Sequence, residues 1–316
     1  MKAILEKSYA RRIIILGALL LSLPTLYAEE DAGRPAEPLL WEVSGNGLLE
    51  SSYLFGTLHL GDKRVTALHP AVERAFAGAG VVMTEIPMDT ASMLAAAPKM
   101  MRRDGRSLNE SIGAELAARV NEELALINPE LNSTPFQALS TWSVATMIPL
   151  LPDQLAGRTA LDKILWDRAE KEGKRMGAME TLDSQLTIFT EMDEDEQVAF
   201  LGESLRAMKH DRDLGRDTKE EMKEAYAAGD LEKLNAVLER GFNEMAEGEL
   251  KELGAAFRKR LITDRDISMA KTIGEVLKAE PGVVHFFAAG AGHFSSETSI
   301  RSHLEKAGYT VIRVSE

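Results

Sequence analysis

The sequence predicts an α/β protein: a central, mostly parallel or mixed sheet built from both chain ends, with a large helical middle lobe. Three observations carry this. Short apolar or β-branched runs lie near both ends, at 39–43, 53–58, 81–84, 283–289 and 309–314. Long Ala- and Leu-rich stretches with charges at helix spacing fill about 90–170 and 184–280. Helical patterns also separate successive strand-like runs near the ends, the crossover that parallel strands need.

The elements follow in order. The strands at 39–43 and 53–58 are joined through Gly45-Asn46-Gly47, a strong turn signal. The stretch 70–79 is helical, with Ala71, Val72, Ala75 and Phe76 on one side. The apolar run 80–84 stops near Glu85, because Pro87 cannot donate to a central ladder. Prolines 98, 129, 135, 149 and 152 punctuate the first helical stretch. Residues 175–180 read as another buried strand. The acidic Asp193-Glu194-Asp195-Glu196 suits a helix N-terminus and its dipole rather than a cation site. A strand at 283–289, a helix at 298–307 and a strand at 309–314 complete the chain.

Composition excludes several classes of function. Among 316 residues, 37 Lys+Arg face 50 Asp+Glu, a net charge of −13, so no nucleic-acid partner is expected. Cysteine is absent, which excludes zinc fingers, iron–sulfur centres, thiol catalysis and disulfide scaffolds. The N-terminus has the layout of a signal peptide (1–28). Lys2, Lys7, Arg11 and Arg12 precede the apolar run 13–21, Pro24 breaks it, and Ala28 stands before an acidic segment. Cleavage after Ala28 is the favoured reading; an uncleaved anchor is the alternative, because Leu26 is larger than the usual residue at its place. A polar linker (29–38) then leads into a single domain, 39–315. The expected location is periplasmic or secreted, with no membrane span after signal cleavage.

Two segments repeat a local pattern: Leu54-Phe55-Gly56-Thr57-Leu58-His59 and Phe287-Ala288-Ala289-Gly290-Ala291-Gly292-His293. Each is an apolar strand whose C-terminal end runs into Gly-x-x-His. Ligands of open α/β sheets bind beyond the strand C-termini, and Glu85 ends the intervening strand at that same edge. Three strands thus deposit His59, Glu85 and His293 on one rim. Two imidazoles and a carboxylate suit a catalytic divalent metal such as zinc, manganese or cobalt. The same groups without metal can act as a general base and its orienter. Singly, each has a plainer reading: a solvated or hydrogen-bonded histidine, or a glutamate capping the next helix. His285 reads as a buried core histidine; His69, His210 and His303 receive no role.

These residues resemble the TraB/GumN family, which is related to the Tiki metalloproteases and more distantly to erythromycin-esterase-like and ChaN-like proteins. Further similarity lies in Ala160-Leu161-Asp162, in 179–185 (Met-Glu-Thr-Leu-Asp-Ser-Gln), in 263–270 (Thr-Asp-Arg-Asp-Ile-Ser-Met-Ala) and in Gly308-Tyr309-Thr310-Val311. The resemblance covers roughly 39–315. It implies a metal-dependent, peptidase-like hydrolase acting on a peptide or protein substrate through metal-activated water. His59, Glu85 and His293 would bind the metal, and Glu85 and Arg265 would be catalytic, Arg265 stabilising a developing oxyanion. The plainer reading of Arg265 is a surface salt bridge with Asp264 or Asp266. Asp266 stands where many relatives have asparagine and reads as an anion or an extra metal ligand. Glu180 reads as a partner for a histidine, or as a cap of the helix that follows. The alternatives to a metallopeptidase are a metal-independent esterase with a His/Glu centre, and a non-catalytic haem- or metal-binding protein using the same pocket. Within the helical middle, no residue is singled out on physical grounds.

Overall fold

Six strands form one mixed sheet in the computed structural model, which describes residues 34–245 and 251–315. The expected signal peptide and the first part of the linker lie outside the described residues. The strands are β1 (Leu40–Gly45), β2 (Ser52–Thr57), β3 (Val81–Thr84), β4 (Arg175–Ala178), β5 (His285–Gly290) and β6 (Tyr309–Arg313). Their order is β4-β3-β5-β2-β1-β6. β5 pairs in parallel with both β2 and β3, and β3 pairs in parallel with β4. β1 is antiparallel to both its neighbours, β2 and β6. Every strand but β1 therefore points the same way, and the α/β class expected from the sequence is the one observed.

Local chemistry explains the elements that position the rim. β1 turns toward β2 through Gly45, Asn46 and Gly47, all with positive φ (78°, 48° and 87°). Glycine reaches that region without a Cβ clash, and asparagine tolerates it better than most residues. Asn46 also donates to the Ala307 carbonyl at 3.0 Å, tying the hairpin to the end of the chain. β5 lies in the middle of the sheet, with Phe286, Phe287, Ala288 and Ala289 wholly buried, as expected of a parallel strand covered on both faces. β4 corrects one expectation. It is an edge strand with Arg175 exposed and the rest half-buried, because its outer side pairs with no strand among the described residues.

The helices lie in the connections. Pro70–Gly78 links β2 to β3, with His69 as its N-cap, accepting from the Ala71 N–H. Leu108–Ile127, Thr141–Met147 and Leu161–Lys171 lie between β3 and β4. Leu182–Thr190, Glu194–Asp213 and Asp264–Ala279 lie between β4 and β5. The acidic run beginning at Asp193 is a capping box, with Asp193 and Glu196 each accepting from the other's backbone N–H. The lobe has an apolar core of its own, including Val120, Leu124, Val144, Ile148, Leu201 and Leu205, distinct from the core around the sheet. Among the described residues no helix is long and apolar enough to cross a membrane.

Phe287 tests the sheet core. It is fully buried on the central strand and stacks on His285 with centroids 5.6 Å apart. Phe287→Ala should lower unfolding stability by about 3–5 kcal/mol, measured by urea titration; a loss under about 1 kcal/mol would contradict this packing.

Candidate active site

The parallel register decides what meets at the sheet's C-terminal edge. Gly56 of β2 stands opposite Ala289 and Thr57 opposite Gly290 of β5, so the two Gly-x-x-His segments leave the sheet side by side. β3 flanks β5 on its other side and ends one residue before Glu85. His59, Glu85 and His293 therefore converge. His59 Nε2 lies 3.8 Å and His293 Nε2 4.0 Å from the same oxygen, Glu85 Oε1.

Each imidazole is held by a carboxylate on its other nitrogen. His59 Nδ1 donates to Asp162 Oδ2 at 2.6 Å, while Thr57 Oγ1 donates to Asp162 Oδ1 at 2.5 Å. His293 Nδ1 donates to Asp266 Oδ1 at 2.7 Å. A carboxylate can only accept, so both Nδ1 atoms carry protons, and both Nε2 atoms are directed at Glu85. The two rings differ in access: the His59 side chain is 57% exposed and that of His293 only 5%.

Glu85 is buried, yet both its oxygens are engaged. The Gly290 N–H donates to Oε1 at 2.6 Å, and Oε2 accepts from Arg265 Nη2 at 2.5 Å and Gln185 Nε2 at 3.2 Å. A side chain at Gly290 would stand 3.3 Å from both Glu85 Oε1 and His59 Nε2. Glycine there permits the close approach. Arg265 follows a π-helical turn, Lys259–Thr263, and donates through Nη1 to the Leu261 carbonyl within it; such irregular turns often serve functional sites. Its Nε donates to Glu180 Oε2 at 2.8 Å, and its Nη1 lies 3.2 Å from His293 Nε2.

These contacts settle how the expected residues sit. His59, Glu85, His293 and Arg265 form one cluster. Arg265 is no surface salt bridge; it pairs with Glu85 and Glu180, whereas Asp264 pairs with Lys259. Asp266 faces His293 Nδ1, and its other oxygen is buried without a partner. Glu180 meets an arginine rather than a histidine, and Thr181, not Glu180, caps the following helix. Glu85 caps nothing: Asp89 caps the next helix. His285 is a core residue, its Nδ1 donating to the Val283 carbonyl. Asp162 and Gln185 were missed by residue chemistry alone. Both lie in helices, and only the segments similar to the family contained them.

The electrostatics follow from burial and pairing. Burial alone would push the Glu85 carboxyl up, but Arg265, His293, His59 and the Gly290 N–H together hold it below the usual range. Burial dominates for Glu180 and Asp266, whose pKa values are raised despite Arg265 and His293. Asp162 pulls His59 upward, to about 9, while water at the ring's open face screens the pair.

The TraB/PrgY/gumN family model matches residues 39–313. The chain belongs to that family. Among similar proteins, "Metalloprotease TIKI1" of Danio rerio is 26% identical over 309 residues, covering 86% of this chain and 62% of its own length. "Metalloprotease TIKI2" of Danio rerio is 24% identical, covering 86% and 60%. "Metalloprotease TIKI1" of Homo sapiens is 24% identical, covering 86% and 61%. This chain thus spans about six-tenths of the length of these curated relatives. No solved structure matches it significantly.

A raised His59 pKa gives a pH dependence of known sign. In metal-free protein the imidazolium–Asp162 attraction stabilises the fold below the ordinary imidazole value of 6.5 and is lost as pH rises through about 9. An NMR titration should find the His59 midpoint above 6.5, and Asp162→Asn should lower it. A midpoint unchanged by Asp162→Asn would contradict the pairing.

Proposed function

We propose that this chain is a secreted or periplasmic metal-dependent hydrolase, peptidase-like in chemistry, with His59, Glu85 and His293 as the residues that hold a divalent cation. One observation carries the reading: two imidazoles, each fixed through Nδ1 by a buried carboxylate, direct Nε2 at a single buried glutamate. Histidines that ligate metals are typically oriented by such carboxylates. The location rests on the N-terminal pattern alone.

The donors fit a cation in type and charge. Glu85, Glu180, Asp162 and Asp266 are four carboxyls with buried side chains, of which Arg265 pairs with the first two and His59 and His293 with the others, and Asp266 retains an unpartnered oxygen. Spacing adds nothing to this support. Among the described residues no three His, Asp or Glu donors are drawn together as a closed ligand group. Bound between His59, Glu85 and His293, a manganese, cobalt or zinc ion would supply Lewis-acid chemistry, acidifying water and polarising a carbonyl.

The chain's own residues have distinct tasks. Asp162 and Asp266 hold the proton on each Nδ1, which turns Nε2 inward to the cluster, open on His59 and against Arg265 Nη1 on His293. The Gly290 N–H and Gln185 orient Glu85. Arg265 keeps a fixed positive charge beside Glu85, suited to an oxyanion developing on the substrate. The exposed face of His59 is the side from which a peptide reaches the cluster, whereas His293 is sealed.

A second reading has one observation in its favour. Arg265 Nη1 stands 3.2 Å from His293 Nε2, a contact that serves a metal-free His/Glu esterase as well. A peptide-library digest with and without manganese or cobalt, alongside small-ester hydrolysis with and without chelator, separates the two. The peptidase reading expects cleavage that needs added metal. Glu85→Gln and Arg265→Ala should each reduce it about 10²-fold or more, and Asp162→Asn about 10–100-fold through weaker metal affinity. Chelator-resistant ester hydrolysis with no peptide cleavage would sink the metallopeptidase in favour of the esterase.

A further inference from the structure

We propose that the cavity beside Glu180 is a specificity pocket, which takes a large apolar side chain of the substrate next to the bond being cleaved. The proposal rests on the peptidase reading and adds the class of residue selected. The cavity measures about 460 Å³, within the range of small-ligand sites. Pro87, Ala95, Ala96, Ala178, Met179 and Leu182 form its apolar wall.

Three features point to that occupant. The first is continuity with the cluster. Pro87 lies two residues beyond Glu85, and Glu180 both lines the cavity and accepts from Arg265, which itself grips Glu85. A chain whose carbonyl met Arg265 and the two imidazoles would place a neighbouring side chain here. The second is charge. The lining contains no basic residue, and both its acidic residues are already paired, Glu180 with Arg265 and Asp183 with Lys99 at 2.6 Å. The remaining polar lining, Ser92 and Thr181, is engaged at the starts of their own helices, with Asp89 and Ser184, so no free charge in the wall recognises a charged side chain, and burying one unpaired is costly. The third is size. Alanines at 95, 96 and 178 leave the space open, and Met93 and Leu94 on the same short helix remain 40% and 68% exposed, extending apolar surface outward. Burial of a Phe or Leu side chain against such a wall is the favourable outcome.

The test has a cleavage arm and a binding arm, both on the full chain. With manganese present, a peptide library varied on each side of the cleaved bond should favour Phe, Leu or Met over Gly or Ser at one position. The expected preference is at least about tenfold in kcat/KM. Ala95 is exposed, so Ala95→Phe can fill the cavity from its rim without disturbing a core; it should abolish that preference. Leu182→Ala enlarges the space and should move the preference toward Trp, which keeps the question answerable if the first variant misfolds in a thermal-unfolding check. In the second arm, N-acetyl-phenylalaninamide is titrated into metal-free protein by NMR. Wild type should bind it at least about tenfold more tightly than Ala95→Phe does. Binding that is lost in Ala95→Phe, with no peptide cleaved by wild type, would retain the pocket and overturn the peptidase reading alone. Absent or equal binding, or side-chain selectivity identical in wild type and both variants, would overturn the pocket.

Discussion

Glu85 is a carboxylate kept in the interior, and the arrangement around it follows from what replaces its water. Burying such a charge costs several kcal/mol unless donors and cations surround it. β3 delivers Glu85 to the sheet edge, but its partners come from elsewhere: Gly290 from β5, Gln185 from Leu182–Thr190, and Arg265 from Asp264–Ala279. Those segments are far apart in sequence and meet only because β3 and β2 flank β5 in parallel. The sheet order and the helical crossovers are thus the means by which one buried charge acquires its neighbours.

The two imidazoles share an orienting principle but not an environment. Asp162 reaches His59 from the helix beginning at Leu161, and the same carboxylate binds Thr57, so the end of β2 is clamped as a unit. Tyr226 adds to that clamp, donating its hydroxyl to the Gly56 carbonyl at 3.0 Å from within the core. His293 is enclosed, with Asp266 on one nitrogen and Arg265 beside the other. One ring is therefore accessible and the other sheltered, a polarity that suits a cleft entered from the His59 side. The two helices that serve the site belong to different cores: that of Asp162 packs with Leu161, Leu165 and Ala169 in the sheet core, and that of Gln185 with Ile188 in the core of the helical lobe.

Much of this was legible in the order of residues. Short apolar or β-branched runs, glycine at strand ends and a proline after Glu85 mark where each strand stops. What lies just past those stops, His59, Glu85 and His293, can be read as a rim. Asp162 and Gln185 could not be read this way. A carboxylate in the first turn of a helix favours the dipole wherever the helix points, and a glutamine on a helix face looks like any solvated residue. Their roles depend on where the helix packs, which no local pattern encodes. Arg265 and Asp266 illustrate the same limit. Adjacent opposite charges suggest a mutual pair, yet neighbouring positions on a helix point about 100° apart. Here they serve different partners, Glu85 and Glu180 for one and His293 for the other. The edge position of β4 was equally hidden, since the short run 175–178 carries no sign of how many neighbours it will have.

Anomalous diffraction from crystals soaked in manganese examines the convergence of these three side chains most directly. A single strong peak about 2.0–2.3 Å from the Nε2 atoms of both His59 and His293 and from a Glu85 oxygen is the expected result. A fully soaked crystal with no peak among the three, and Arg265 still seated against His293, would contradict the assignment of a metal to this cluster.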